Sequence, residues 1–215
     1  MVPSVARKRW TDVKLDRMDY SMSCFVWYFG TNKRWEDVPH HTIVLGPRYK
    51  ELLKDIFRKK KVTDDFSMYL HRPSASDPSV APEGCDSFYA LVPVPNLDGG
   101  ADWETLAAPY RERVLKRLEE TVLPGLRDHI VAEHMTTPLD FLHRLRSEKG
   151  AAFGMEPKLL QSAWFRPHNR SEEVERLYFV GAGTHPGAGL PGVVSSARVV
   201  DEMIPEASRV AVDRG

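Results

Sequence analysis

The sequence predicts an α+β protein: a mixed or antiparallel sheet with helices, ending in one strand–loop–helix of a different kind. Three observations predict it. Short β-branched and aromatic runs recur at 23–30, 40–46, 66–72 and 86–94. A helical period holds from Trp103 to Val122, and a glycine-rich loop separates an apolar run from a helix near the end of the chain. Several strands interrupted by helices, then a single strand–loop–helix, suit α+β better than a repeated βαβ pattern.

Each element has its local reason. "SCFVWYFG" (23–30) is dense enough in β-branched and aromatic residues to be a central strand or one buried on both faces. "HHTIVLG" (40–46) is a second strand, after which Gly46 and Pro47 open a helix through "PRYKELLKDIF" with proline at its first position. Leu52, Leu53, Ile56 and Phe57 form that helix's apolar face, and "RKKK" (58–61) closes it where cations meet the negative end of the dipole. "FSMYLHR" (66–72) and "DSFYALVPV" (86–94) read as strands on either side of a Pro, Ser and Asp-rich loop. Pro93 places the end of the latter at an edge or outside the ladder.

Trp103, Leu106, Tyr110, Val114, Leu118 and Val122 keep helical spacing until Pro124 and Gly125 end it. A short strand is expected near "HIVAEHM", then a helix in "TPLDFLHRL" capped by Thr137, started by Pro138 and boxed by Asp140. The stretch 147–176 is polar and irregular. "RLYFV" (176–180) reads as the last strand and "GVVSSARVVDEMI" (192–204) as the last helix.

Composition narrows the function classes. In 215 residues, 30 basic side chains balance 30 acidic ones, which gives no reason to expect nucleic acid or another polyanion as partner. Cys24 and Cys85 stand far apart without a C-x-x-C pair, against a disulfide framework or a zinc site and in keeping with a reducing cytoplasm. No apolar run is long enough to cross a membrane. The N-terminus is mixed in charge, has no apolar core of a secretory signal, and reads as interior sequence that happens to begin with methionine.

"YFVGAGTHPGAGLPGVVSSARVV" (178–200) carries five glycines and two prolines. A self-contained dinucleotide loop, G-x-G-x-x-G, needs glycine where this chain has Pro186, and a following strand with an acidic residue about twenty residues on. Neither is present. A glycine turn for tight strand-to-helix packing is the plainer reading. Against it, Gly181, Gly183, Gly187, Gly189 and Gly192 open the backbone along the whole loop, each at an entropic cost. Pro191 and Gly192 then set a helix N-terminus at its mouth, where free N–H groups favour negative charge. The loop reads as half of a cofactor site whose other wall lies elsewhere.

Other clusters carry less. "RKKK" could dock on anionic lipid or be a solvated helix end. His129 and His134 match no metal spacing, and His40 and His41, if both lie in a strand, face opposite sides and cannot act together. Trp164, Phe165, Arg166 and His168, just before the last strand, either touch cofactor and substrate or pack structurally. No nucleophile elbow occurs, so no catalytic side chain is assigned.

Taken in order, "VWYFG", "HHTIVLGPRYKELLKDIF", "DFSMYLHRPSASDPSVAPEGCDSFYALVPVPNL", "PGLRDHIV" and "SAWFRPHNR" followed by "LYFVGAGTHPGAGLPGVVSSA" resemble the C-terminal signature of the bacterial-type phytoene desaturases. The resemblance runs from about Ser21 to about Ile204. It implies a glutathione-reductase-like flavoprotein: residues 1–175 as the C-terminal part of a substrate-binding domain, 176–205 as the returning strand–loop–helix of a Rossmann-like FAD-binding domain, and 206–215 as a tail. It implies FAD as cofactor, held by Gly181, Gly183, Gly187, Gly189, Pro191, Gly192 and Val193, with Thr184 and His185 in the same loop. Trp164, Phe165 and Arg166 would line the substrate.

The reaction so implied introduces double bonds into phytoene, toward neurosporene or lycopene, with oxygen or a quinone as electron acceptor. A C40 hydrocarbon is stored in bilayers, so the enzyme would be cytoplasmic and bound peripherally to a membrane surface. A related desaturase of another polyene such as diapophytoene, or an apolar-lipid binder without redox work, remains open. Because no strand–G-x-G-x-x-G–helix unit occurs in the 215 residues, the chain is expected to hold FAD weakly and to be inactive by itself. The strands at 25–29 and 88–92 read either as core or as walls for the polyene.

Overall fold

The computed structural model describes residues 2–204, and the expected tail at 206–215 lies outside the described residues. The chain divides into two compact units: one joins the residues up to Ser21 to those from Phe153 onward, and the other is Met22–Ala152.

In the first unit a short helix α1 (Asp12–Asp16) is capped by Thr11, whose hydroxyl accepts from the Lys14 amide. Tyr20 bridges Met155, and the Ser21 amide donates to the Gly154 carbonyl (2.9 Å), so the unit's two stretches are stitched by backbone.

The second unit is the sheet. Its strands are β1 (Ser23–Thr31), β2 (His41–Val44), β3 (Met68–His71), β4 (Asp86–Val94) and β5 (Ile130–Thr136), in the order β2-β3-β4-β1-β5 with every pairing antiparallel. β1 lies between β4 and β5, and all its residues except Tyr28 and Gly30 are buried. In β4 alternate residues Asp86, Phe88, Ala90, Val92 and Val94 are buried, the period of a half-covered strand. The ladder from β3 to β4 stops at Leu91, so Pro93, paired with Cys24 of β1, has no neighbour on its other side among the described residues. The strand end is therefore an edge, the place a missing N–H is tolerated.

Helix α2 (Tyr49–Phe57) begins two residues after Pro47, not at it, because Pro47 and Arg48 form a turn. Helix α3 (Trp103–Thr121) is capped by Asp102, whose carboxylate accepts from the Glu104 amide. It passes through Pro109, which withholds one ladder bond and costs about 3 kcal/mol. Burial of Trp103, Tyr110, Val114, Leu115 and Leu118 on one core outweighs that cost. Phe25 stacks on Trp103 (centroids 5.9 Å apart) and meets Tyr110 edge-on (5.2 Å). Helix α4 (Pro138–His143) starts at the expected box: the Asp140 carboxylate accepts from the Thr137 amide (2.8 Å) and hydroxyl (3.1 Å).

One buried charge pair pins the sheet to its loops. Asp86 and Arg72 are both almost wholly buried, with Nε and Oδ2 3.0 Å apart as an ion pair rather than an aligned hydrogen bond. The carboxylate also accepts from the Trp35 amide (2.9 Å) and the Ser74 hydroxyl (2.8 Å), and Arg72 Nη1 donates to the Val38 carbonyl (2.8 Å). Burial pushes the Cys24 thiol up to about 12, which leaves it a small apolar filler.

Two expectations are corrected. The run 176–180 is not a strand: among the described residues its one pairing is the isolated antiparallel bridge of Tyr178 with Arg170. A strand exists only against a partner, and this run has no parallel neighbour in the described residues. His40 and His41 do not point apart. β2 begins at His41, so His40 lies in the bend before it, outside the two-residue alternation, and the two rings are 4.3 Å apart.

The strands at 25–29 and 88–92 divide by face. Phe25, Trp27, Phe29, Phe88, Ala90 and Val92 belong to the core under α3, whereas Tyr28 and Tyr89 stand on the opposite face.

Candidate functional site

The glycine loop runs from Val180 to helix α5 (Leu190–Met203), in the first unit. Its shape is held from beneath by side chains that spend their polar atoms on backbone. Buried Asn169 donates from Nδ2 to the carbonyls of Phe179 (3.2 Å) and His185 (2.9 Å). The Thr184 hydroxyl, also buried, donates to the Pro167 carbonyl (2.6 Å). Ser196 of α5 accepts from the Gly181 amide (2.7 Å) and donates back to the Val193 carbonyl (2.6 Å), fastening the start of the loop to the helix.

Arg166 is the main brace. Only 3% exposed, it donates to the carbonyls of Ala182, Gln161 (3.2 Å) and Met155 (3.2 Å). Desolvation lowers its pKa, yet a guanidinium keeps its charge in proteins, so it presents fixed positive charge beneath the loop.

The five loop glycines are of three kinds. Gly192 serves packing, since a Cβ there would come within 2.8 Å of the Gly187 carbonyl oxygen, while Gly187, against the Arg166 guanidinium, adopts a φ of +129° that side chains disfavour. Gly181 and Gly189 adopt φ of +106° and +100°, which side chains disfavour, but face open space. Gly183 is the informative one. Its φ lies outside the left-handed region and, among the described residues, no atom lies within 4 Å of where its Cβ would be, so neither conformation nor packing among those residues calls for glycine there.

Beside Gly183 a cleft of ≈ 280 Å³ opens, lined on this side by Val180, Gly183 and Thr184 and across from them by Trp10 and Leu15. These two N-terminal residues were missed by sequence reasoning, since nothing local marks them as neighbours of a loop far along the chain. The mouth of α5 is not walled off: Leu190 is 83% exposed and Val194 69%, with Gly189, Pro191 and His185 exposed beside them and Val193 half-buried. Trp164 and Phe165 are also exposed, at 71% and 44%, and Trp164 packs on His168 (4.4 Å). Thus Gly181, Gly183, His185, Gly189 and Pro191 form an accessible rim, whereas Thr184, Gly187, Gly192 and Arg166 form its support. A bare glycine backbone above a buried cation, at a helix N-terminus, fits an anionic or electron-rich group.

On the sheet unit, one ring from each strand stands in a row on the face opposite the core: His41, His71, Tyr89, Tyr28 and His134, each opposite the next in the pairing register. Ring centroids are 5.3, 4.7, 5.7 and 6.3 Å apart in that order. Burial and hydrogen bonding with Tyr69 push the Tyr89 hydroxyl up to about 12, so it stays protonated. A shallow groove of ≈ 370 Å³ runs over Tyr28, Tyr89 and His134. Single residues on separate strands give no sequence motif. Only the register assembles them.

The fold has a solved counterpart. The chain superposes on an oxidoreductase from Methanosarcina mazei with a TM-score of 0.53 at 16% identity, covering 93% of this chain and 39% of that one. No family model matches the chain. It is 56% identical over 208 residues to the neurosporene-forming phytoene desaturase of Rhodobacter capsulatus, covering 94% of this chain and 40% of the relative. It is 50% identical over 193 residues to the lycopene-forming phytoene desaturase of Pseudescherichia vulneris, covering 89% and 39%. It is 43% identical over 204 residues to a 4,4'-diapophytoene desaturase of Methylomonas sp, covering 94% and 40%. The chain belongs to the bacterial-type phytoene desaturase family, and it spans about two fifths of the length of the relatives it matches.

Proposed function

We propose that this chain is the C-terminal part of an FAD-dependent phytoene desaturase, contributing one wall of the flavin site and an apolar face for the polyene. Higher identity to the phytoene desaturases than to the diapophytoene desaturase favours the C40 substrate. The observation that carries the flavin reading is Gly183, a glycine that nothing among the described residues requires, facing open space beside a cleft.

The residues divide the work. Gly181, Gly183, His185, Gly189 and Pro191, with Val193 behind them, would hold the cofactor, and Thr184, Gly187, Gly192 and Arg166 keep the loop in shape. Bound FAD supplies the hydride acceptor that desaturation of an unactivated C–C bond needs and no side chain provides. Arg166 places positive charge under the loop, and α5 adds the positive end of its dipole, about 0.3–1 kcal/mol toward an anion. Trp164 and Phe165, exposed just before the loop, would contact the substrate. Tyr28 and Tyr89 present π-faces to a long apolar ligand. Moving the polyene from lipid tails to such a face is nearly neutral hydrophobically, so shape selects it.

In this reading the enzyme works at a membrane surface and passes its electrons to oxygen or a quinone, and the 215 residues alone hold flavin weakly and do not turn over. The segment should be exchanged for the matching part of the Rhodobacter capsulatus enzyme in cells that accumulate phytoene. The chimera is expected to carry a flavin spectrum and to form coloured product. A chimera that folds and binds FAD yet leaves phytoene unchanged refutes the substrate. One that folds without flavin refutes the loop's role.

A further inference from the structure

His40, His41 and His71 converge: one ring nitrogen from each lies within 4.8 Å of the others. From this geometry we infer an open three-histidine site for a divalent transition metal of the zinc class, placed where edge strand β2 joins β3. The inference is independent of the flavin reading.

The cluster is built rather than accidental. His41 and His71 are direct cross-strand partners, and the Arg72 amide donates to the His40 carbonyl (2.9 Å), so backbone pairing sets all three positions. His40 Nε2 lies 2.6 Å from His71 Nε2, while its Nδ1 lies 2.5 Å from the Ser76 hydroxyl. His41 Nδ1 lies 2.5 Å from the Tyr69 hydroxyl. Imidazoles that ligate a metal characteristically engage their second nitrogen in such an outer contact, which fixes tautomer and ring orientation. His71 Nδ1, by contrast, is buried without a hydrogen-bond partner among the described residues.

The donor set decides the ion. Three imidazoles with no carboxylate or thiolate suit zinc, copper, nickel or cobalt and not magnesium or calcium. A tetrahedral ion about 2.0–2.1 Å from each nitrogen needs them about 3.3 Å apart. His40 Nε2 and His71 Nε2 lie 2.6 Å apart and all three donor nitrogens lie within 4.8 Å of one another, close enough for one ion to reach all three. His41 is exposed, so the ion can enter from solvent, and three protein ligands leave a fourth position for water. Bound there, it clasps the four-residue edge strand β2 onto β3.

The test uses the whole chain with zinc or cobalt(II) as the only added ligand. One equivalent of cobalt(II) is expected to give a visible d–d spectrum that zinc abolishes, and zinc is expected to raise the thermal midpoint. His40→Ala and His71→Ala should abolish both effects, and His134→Ala should abolish neither. Ser76→Ala and Tyr69→Phe should weaken binding by about tenfold. Should His71→Ala fail to fold, His41→Gln at an exposed position serves instead. Absence of binding at millimolar zinc, or unchanged binding in folded His40→Ala or His41→Gln, overturns the site.

Discussion

Arg166, beneath the glycine loop, and Gly183, within it, hold opposite kinds of importance. Arg166 is buried and answers three backbone carbonyls. Arg166→Met should therefore cost about 2–3 kcal/mol, because the carbonyls lose charged donors and stay buried. Urea unfolding of the full chain measures it, and a change under 1 kcal/mol would show that the brace is dispensable. Gly183 is the reverse case. Gly183→Ala meets no atom and no forbidden φ, so stability should stay within about 0.5 kcal/mol of the parent. In the chimera with the Rhodobacter capsulatus enzyme the same change should weaken flavin retention. A Gly183→Ala chimera that keeps its flavin as tightly as the parent removes the observation on which the cofactor reading rests.

At the scale of elements, two acidic residues stabilise by different routes. Asp86 is sealed against Arg72, Ser74 and the Trp35 amide, and removing one partner of such a pair leaves the other charge stranded. Asp86→Ala should cost about 3–5 kcal/mol, read from a denaturant midpoint. Asp102 caps α3 in solvent, and hydrogen bonds from the Thr105 hydroxyl, then from amides of the first turn, lower its pKa. A carboxylate with a lowered folded pKa adds stability that is full above the ordinary carboxylate range and fades as pH falls through the lowered value. Asp102→Asn should flatten the loss of stability below about pH 4 and change little at pH 7. Thermal midpoints across that range test the sign.

The elements themselves were legible because each rests on local chemistry. β4 alternates strictly, α4 carries its box, and α3 keeps its period despite a proline that sequence analysis did not weigh. What failed was non-local. The run 176–180 has the residues of a strand but no partner in the described chain, and the histidines at 40 and 41 were assigned to one strand when a bend separates them. Trp10 beside Gly183, and the row from His41 to His134, depend on pairings that no spacing encodes.

For the whole molecule, the division into units has an energetic meaning. Every residue of the main apolar cluster, from Phe25 to Leu126, lies inside Met22–Ala152, one continuous stretch with all five strands. The sheet unit thus carries its main apolar cluster within itself, and a domain with its own core can fold by itself. The other unit is made of two separated stretches joined by backbone contacts such as Ser21 to Gly154. The loop it carries thus depends on closing a long connection, whose entropic cost only the intervening domain's folding reduces. The excised segment Met22–Ala152 should give a dispersed amide spectrum and a single urea transition, while residues from Phe153 onward, expressed alone, should show neither. If the excised sheet melts without cooperativity, the core is not self-sufficient, and the stability assigned to Asp86 and α3 must be shared with the glycine-loop unit.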